Sequence, residues 1–177
     1  LKPKEINKFC ENVIDNWGTI HILINNVGGG GRWGSENIEK TNEDVWIDVY
    51  NKNAMAAVRF TVFFLPYFRK QKWGRVVSVG SRYGREGGGR PWFNMAKSAE
   101  ISLMKTLSMN PHLTRDGITF NTVAPGGIYI SNTGWEEEEK KDPTTFKKML
   151  KKQFPLGRMG TPEEVADVIT FICSEKA

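Results

Sequence analysis

Cysteine is scarce in this 177-residue chain, with only Cys10 and Cys173, near opposite ends. Neither has the short spacing to a second ligand that a metal site needs, and two thiols so placed make no disulfide framework. Both read as ordinary partly buried thiols, and no metal is expected. No apolar run approaches the roughly 20 residues that a membrane-crossing helix requires. The opening Leu-Lys-Pro-Lys-Glu-Ile has neither an apolar run nor a small-residue cleavage site, so no secretory signal is expected and the cytoplasm is the default setting. Charge of one sign is not gathered anywhere: 25 basic and 20 acidic residues are interspersed, giving a net charge of +5. That pattern reads as a solvated surface and argues against a nucleic-acid partner. Internal repeats and low-complexity linkers are also lacking. With 39% hydrophobic residues, the chain reads as one domain over residues 1–177.

What is present alternates between two periods. Ile6, Phe9, Val13 and Ile14 follow helical spacing over residues 4 to 17, up to Gly18. His21-Ile22-Leu23-Ile24 fits a buried parallel strand, and Asn25-Asn26-Val27 leads from its carboxyl end into four glycines, 28 to 31. Thr41-Asn42-Glu43-Asp44 offers a capped start to a long helix running to about Gln71, interrupted by Pro66. Its apolar residues cover more than one face, which predicts burial against the sheet and against a second subunit. A strand at 75 to 79, a glycine-rich loop at 84 to 89 and a helix from about Pro91 to Thr114 follow. A strand at 118 to 123 ends at Pro125-Gly126-Gly127, repeating the rhythm of a parallel α/β sheet. In the charge run 136 to 141, Glu136/Lys140 and Glu137/Lys141 stand at i,i+4, as on a solvated helix face; a mobile lid is the sharper alternative. A helix is predicted from Pro143 to Gln153. Thr161-Pro162-Glu163-Glu164 is a strong start for a last one, running to about Cys173.

Several residues gather at the carboxyl ends of these strands, where open α/β sheets bind ligands. Ser81 follows the strand 75 to 79. Twelve residues later, Phe93 and Lys97 stand four apart and share a helix face. In order along the chain, Asn25-Asn26-Val27-Gly28, the mid-helix Asn53, Ser81-Arg82-Tyr83-Gly84, Phe93-Asn94-Met95-Ala96-Lys97 and Pro125-Gly126 resemble the motifs of the short-chain dehydrogenase/reductase family. Each motif alone has a plain structural reading, as a turn, cap or surface residue. Their joint occurrence in order carries the resemblance.

That resemblance implies a Rossmann-like, doubly wound parallel sheet in three α/β/α layers, binding NAD or NADP. No Gly-x-x-x-Gly-x-Gly follows a strand, so the first strands and the glycine-rich cofactor loop of the family pattern are missing, and the chain reads as an internal piece of a longer protein. By resemblance, Lys97 reaches the nicotinamide ribose, and Asn26 and Gly28 reach the adenosine side. Pro125 and Gly126 precede the nicotinamide loop, and Ile128 meets the carboxamide through its backbone. A tyrosine would give the proton, Lys97 would lower that phenol's pKa, Ser81 would hold the carbonyl oxygen, and Asn53 would hold a water that links Lys97 to solvent. A homodimer or homotetramer is also implied.

Phe93 stands where that tyrosine is expected, and it has no ionisable group. Three readings stay open: Tyr83 supplies the phenol; hydride transfer proceeds with Ser81 or water as the proton source; or the chain is a non-catalytic or non-redox homologue acting as a binding or oligomerisation subunit. An engineered Tyr-to-Phe change would leave the same letters. Arg32, Trp33, Arg82, Arg85, Arg90 and Trp92 are placed by the reading around the pocket. A rim of that kind suits an anionic small molecule such as a carboxylate, a phosphate or a nucleotide sugar, while scattered surface charges and core-edge tryptophans are the alternative.

Overall fold

The computed structural model describes residues 2–177. Three strands, β1 (Ile22–Asn25), β2 (Gly74–Val79) and β3 (Ile118–Val123), form one parallel sheet in the order β1-β2-β3. The register sets Leu23 beside Val76, and Val76 beside Phe120. Parallel strands need crossovers, and helices supply them. Helix α1 (Pro3–Trp17) leads into β1; α2 (Glu43–Tyr50) and α3 (Ala56–Gln71) join β1 to β2; α4 (Pro91–Ser108) and the short α5 (Pro111–Thr114) join β2 to β3. Beyond β3 come α6 (Gly134–Lys141), α7 (Pro143–Gln153) and α8 (Pro162–Cys173). Among the described residues no helix is long and apolar enough to cross a membrane.

Alternation along β2 divides the core between the two faces of the sheet. Val76 packs with Ile6 and Cys10 of α1, Phe64 and Phe68 of α3, and Met104 of α4. Its neighbour Val77 packs instead with Ile169 and Cys173 of α8. The result is the α/β/α layering expected of a Rossmann-like sheet. Both cysteines are free and buried, and desolvation pushes the Cys10 thiol up to about 11.

The structure corrects four local expectations. Strand β1 is only partly buried: Ile22 and Ile24 are 43% and 46% exposed, because among the described residues β1 pairs with β2 alone. Phe9, Trp17, Ile22, Ile24 and Phe60 line an apolar groove of about 290 Å³ along this edge. Pro66 does not interrupt its helix; it lies on the exposed face of α3, where the unpaired carbonyl one turn earlier can meet water. The interruption falls earlier, at a π-helical turn, Asn51–Met55, between α2 and α3. The helix begun at Pro91 stops at Ser108, because Asn110 precedes Pro111 and adopts an extended backbone, its side chain capping α5. Finally, Asn42 at the start of α2 makes no side-chain cap, and the Thr41 hydroxyl accepts from Ser35 N. Further on, the predicted capping box of Thr161 and Glu164 is formed in full, and Lys140 and Glu136 pair at 3.1 Å on α6.

Candidate active site

All three strands end at the same edge of the sheet, and the loops that follow them carry the candidate residues. Ser81 caps a single 3-10 turn, Arg82–Gly84, its Oγ accepting from Tyr83 N at 3.2 Å. A serine in this position closes the turn locally, as its type predicts. Arg82 N in turn donates to Pro125 O at 3.0 Å, tying the loop after β2 to the loop after β3. Ser81, Arg82, Tyr83, Phe93, Gly126, Gly127 and Ile128 line one cavity of about 330 Å³. The Tyr83 hydroxyl accepts from Arg82 Nη2 at 3.1 Å, and the guanidinium also lies over the ring at 4.8 Å.

A second cluster sits against the first. Asn53 lies in the π-helical turn and is fully buried. Such turns recur at functional positions because the extra residue re-aims a side chain. Its Nδ2 donates to Val49 O at 2.7 Å and Gly29 O at 2.9 Å, and its Oδ1 accepts from Gly29 N at 3.1 Å. Asn53 therefore clamps the glycine loop by both backbone groups of Gly29. Lys97, on α4, is 6% exposed, and its ammonium donates to Val79 O at 2.8 Å and to Glu100 Oε2 at 2.9 Å. Gly28 closes the cluster. A Cβ there would stand 2.6 Å from Asn53 Oδ1 and 3.2 Å from Lys97 Nζ. Since Asn53 is held by three hydrogen bonds, it cannot give way cheaply, and Gly28→Ala is expected to destabilise the fold by about 1–3 kcal/mol. Thermal unfolding checks this, and an unchanged midpoint would mean that the loop moves aside freely.

The two clusters meet at Phe93, whose ring centroid is 6.0 Å from Lys97 Nζ and whose ring underlies Gly31. Phe93, Lys97 and Glu100 follow one another at four and three residues along one face of α4. Asn26 is exposed at the end of β1, Gly126 has open space around its α-carbon, and Ile128 bridges to Gly160.

The arginine and aromatic rim is only partly assembled. Arg32 and Arg82 line the cavity, Arg32 held by Glu138 at 2.8 Å and stacked over Trp135 at 4.8 Å. Arg90 turns to Glu36, and Trp33 lies under the Lys52 ammonium in a separate basin lined also by Asp48 and Arg59. Trp92 is not rim at all: it is 1% exposed and packs edge-on against Trp46 in the core. Trp135, Gln153 and Phe154 complete the cavity wall and were not singled out by the sequence. They belong to the segment after β3, where a charge pattern and a helix over Pro143–Gln153 were legible but not which side chains turn to the cavity.

The chain has a Rossmann-type fold with a cavity at the strand ends, lined in part by the ordered motifs. A family model described as enoyl-(acyl carrier protein) reductase matches residues 2–177. The chain is 33% identical over its full length to 3-oxoacyl-(acyl-carrier-protein) reductase FabG of Aquifex aeolicus, covering 67% of that protein. It superposes with a TM-score of 0.81 on an oxidoreductase of the short-chain dehydrogenase/reductase family from Burkholderia thailandensis, at 27% identity over 95% of this chain and 63% of that one. NAD+-bound xylitol dehydrogenase shares the fold, with a TM-score of 0.85 at 21% identity over 98% of this chain and 70% of the other. The chain belongs to the short-chain dehydrogenase/reductase family. It spans about two thirds of the length of the curated relatives it matches.

Proposed function

We propose that this protein is an NAD- or NADP-dependent oxidoreductase acting on a carbonyl or alcohol group of a small molecule. The observation that carries the reading is the convergence of Ser81, Tyr83 and Phe93 on one cavity, with Lys97 and Asn53 behind it at the carboxyl ends of β1 and β2. Relatives described as reductases support it, as does the NAD+ bound to a protein of the same fold.

The residues present fit the nicotinamide half of such a cofactor. Lys97 has two ammonium hydrogens committed and a third left for a ribose hydroxyl. Gly126 leaves open space beside Ile128, and Pro125 fixes the loop by accepting from Arg82, while Asn26, on the exposed loop leading to Gly28, is left for the adenosine side. When bound, the dinucleotide supplies or accepts a hydride at carbon. Ser81, with its hydroxyl at the cavity wall, holds the substrate oxygen. Tyr83, which lines the same cavity, moves the proton, whereas Phe93 has no hydroxyl to give. Phe93 packs as an apolar wall that keeps water off the reacting carbon. Asn53 keeps the glycine loop in place for the cofactor.

Arg82 and Arg32 at the cavity suit an anionic substrate. Exposed apolar residues on α2 and α3, Ile47 and Val62 among them, suit a homodimer or homotetramer. The cytoplasm is the proposed setting. Thermal unfolding with and without NADH and NADPH tests the reading. One dinucleotide at 100 times its Kd is expected to stabilise the fold by about 2.7 kcal/mol. No shift with either would sink it.

A further inference from the structure

The nicotinamide reading assigns no task to Glu100, yet it is among the most completely buried side chains of the molecule, at 1% exposure. Its Oε2 accepts from Lys97 Nζ at 2.9 Å, while Oε1 has no hydrogen-bond partner among the described residues. The Ser78 hydroxyl is likewise buried without a hydrogen-bond partner among the described residues. Burying a carboxylate with half its acceptor capacity unused costs stability, and an apolar residue of the same size would spare that cost. The arrangement calls for a role beyond packing. Lys97, by contrast, would keep its place through Val79 O without Glu100.

We propose that Glu100 is a positioning residue that neutralises Lys97 beside the nicotinamide, so that the site tolerates the cationic oxidised cofactor as well as the neutral reduced one. The proposal rests on the nicotinamide reading above. The physical argument is Coulombic. Oxidation places a positive charge on the nicotinamide ring, and an unneutralised buried ammonium near that ring would repel the oxidised form alone. With Glu100 beside it, the pair carries no net charge and the two redox forms meet a similar field. A charge pair separated by about 10 Å at an effective dielectric of about 20 corresponds to roughly tenfold in binding.

The test is the ratio of dissociation constants for NAD+ and NADH, and for NADP+ and NADPH, in wild type and Glu100→Gln. A lost ribose contact weakens both forms together and leaves the ratio alone, so the ratio isolates the charge. Glutamine keeps the size and an acceptor oxygen for Lys97. We expect it to weaken the oxidised form against the reduced one by roughly tenfold. Removing both charges in Lys97→Met/Glu100→Gln is expected to return the ratio to near the wild-type value. Should Glu100→Gln fail to fold, Lys97→Gln measured at pH 9 carries the test with opposite sign, favouring the oxidised form. A ratio unchanged in the single variants overturns the proposal. A wild type that binds neither redox form removes the nicotinamide site itself, and the proposal falls with it.

Discussion

Replacing Tyr83 by phenylalanine is expected to slow carbonyl reduction by about 10²–10⁴-fold, the usual worth of a positioned general acid, while the thermal shift produced by the dinucleotide stays as in wild type. The two readouts separate because Tyr83 lines the cavity shared with Ser81 and Phe93, whereas Lys97 and Gly28 are not among the residues lining it. Loss of a group that acts only as charge develops on oxygen lowers kcat and kcat/KM together. The companion variant is Phe93→Tyr in the Tyr83→Phe background. It places a phenol one helical turn before Lys97, on the face that carries the ammonium, and should recover a large part of the lost rate. If Tyr83→Phe turned over at the wild-type rate, the proton would come from Ser81 or from water, and the phenol on this loop would be a wall of the pocket like Phe93.

The order of elements, the three strands and the helix starts at Pro91 and Thr161 could be read from the letters, because periodicity and capping chemistry act locally. Ser81 and Lys97 could be placed for the same reason, since strand ends and helix faces follow from spacing, whereas Asn53 was singled out by family resemblance alone and sits in a π-helical turn that no period announces. What escaped were features decided by neighbours far along the chain. Trp92 sits at a helix start beside Arg90, a plausible rim position, yet Trp46 and Val49 draw it into the core. Ile22 and Ile24 have the composition of a buried strand, but burial depends on which elements cover the edge. Pro66 reads as a break unless the exposure of its face is known. Glu100 was not singled out by the sequence. Its signal was available: at i+3 from Lys97 it shares the face that also carries Phe93, and a charge on a face otherwise turned to the core needs a partner.

That same pair sets the second large effect, on stability. Lys97→Met replaces the ammonium by an apolar side chain of similar length and leaves the Glu100 carboxyl buried without its partner. Breaking a buried pair in this way typically costs about 3–5 kcal/mol, a sizeable share of the 5–15 kcal/mol of a typical domain and enough to lower Tm by about 6–20 °C. The loss should depend on pH, and its sign follows from Glu100. Burial is the largest influence on this carboxyl and pushes it above the usual range, while the charge and hydrogen bond of Lys97, and then Ser78, oppose the rise. A carboxyl held higher in the folded chain than in the unfolded one favours folding below its unfolded value, and that contribution is lost as pH rises through the folded value. Removing Lys97 takes away the main opposing influence and moves the folded value further up. The variant is therefore expected to suffer its full penalty near pH 8 and a smaller one near pH 5, where the carboxyl is neutralised inside the fold. Denaturant unfolding of wild type and variant at the two pH values measures this. An equal penalty at both would trace the loss to packing around the methionine, with no part played by the stranded charge. In Lys97→Met/Glu100→Leu no charge is left to strand, so most of the stability should return and the pH dependence should flatten, because the cost lies in separating the pair and not in doing without it.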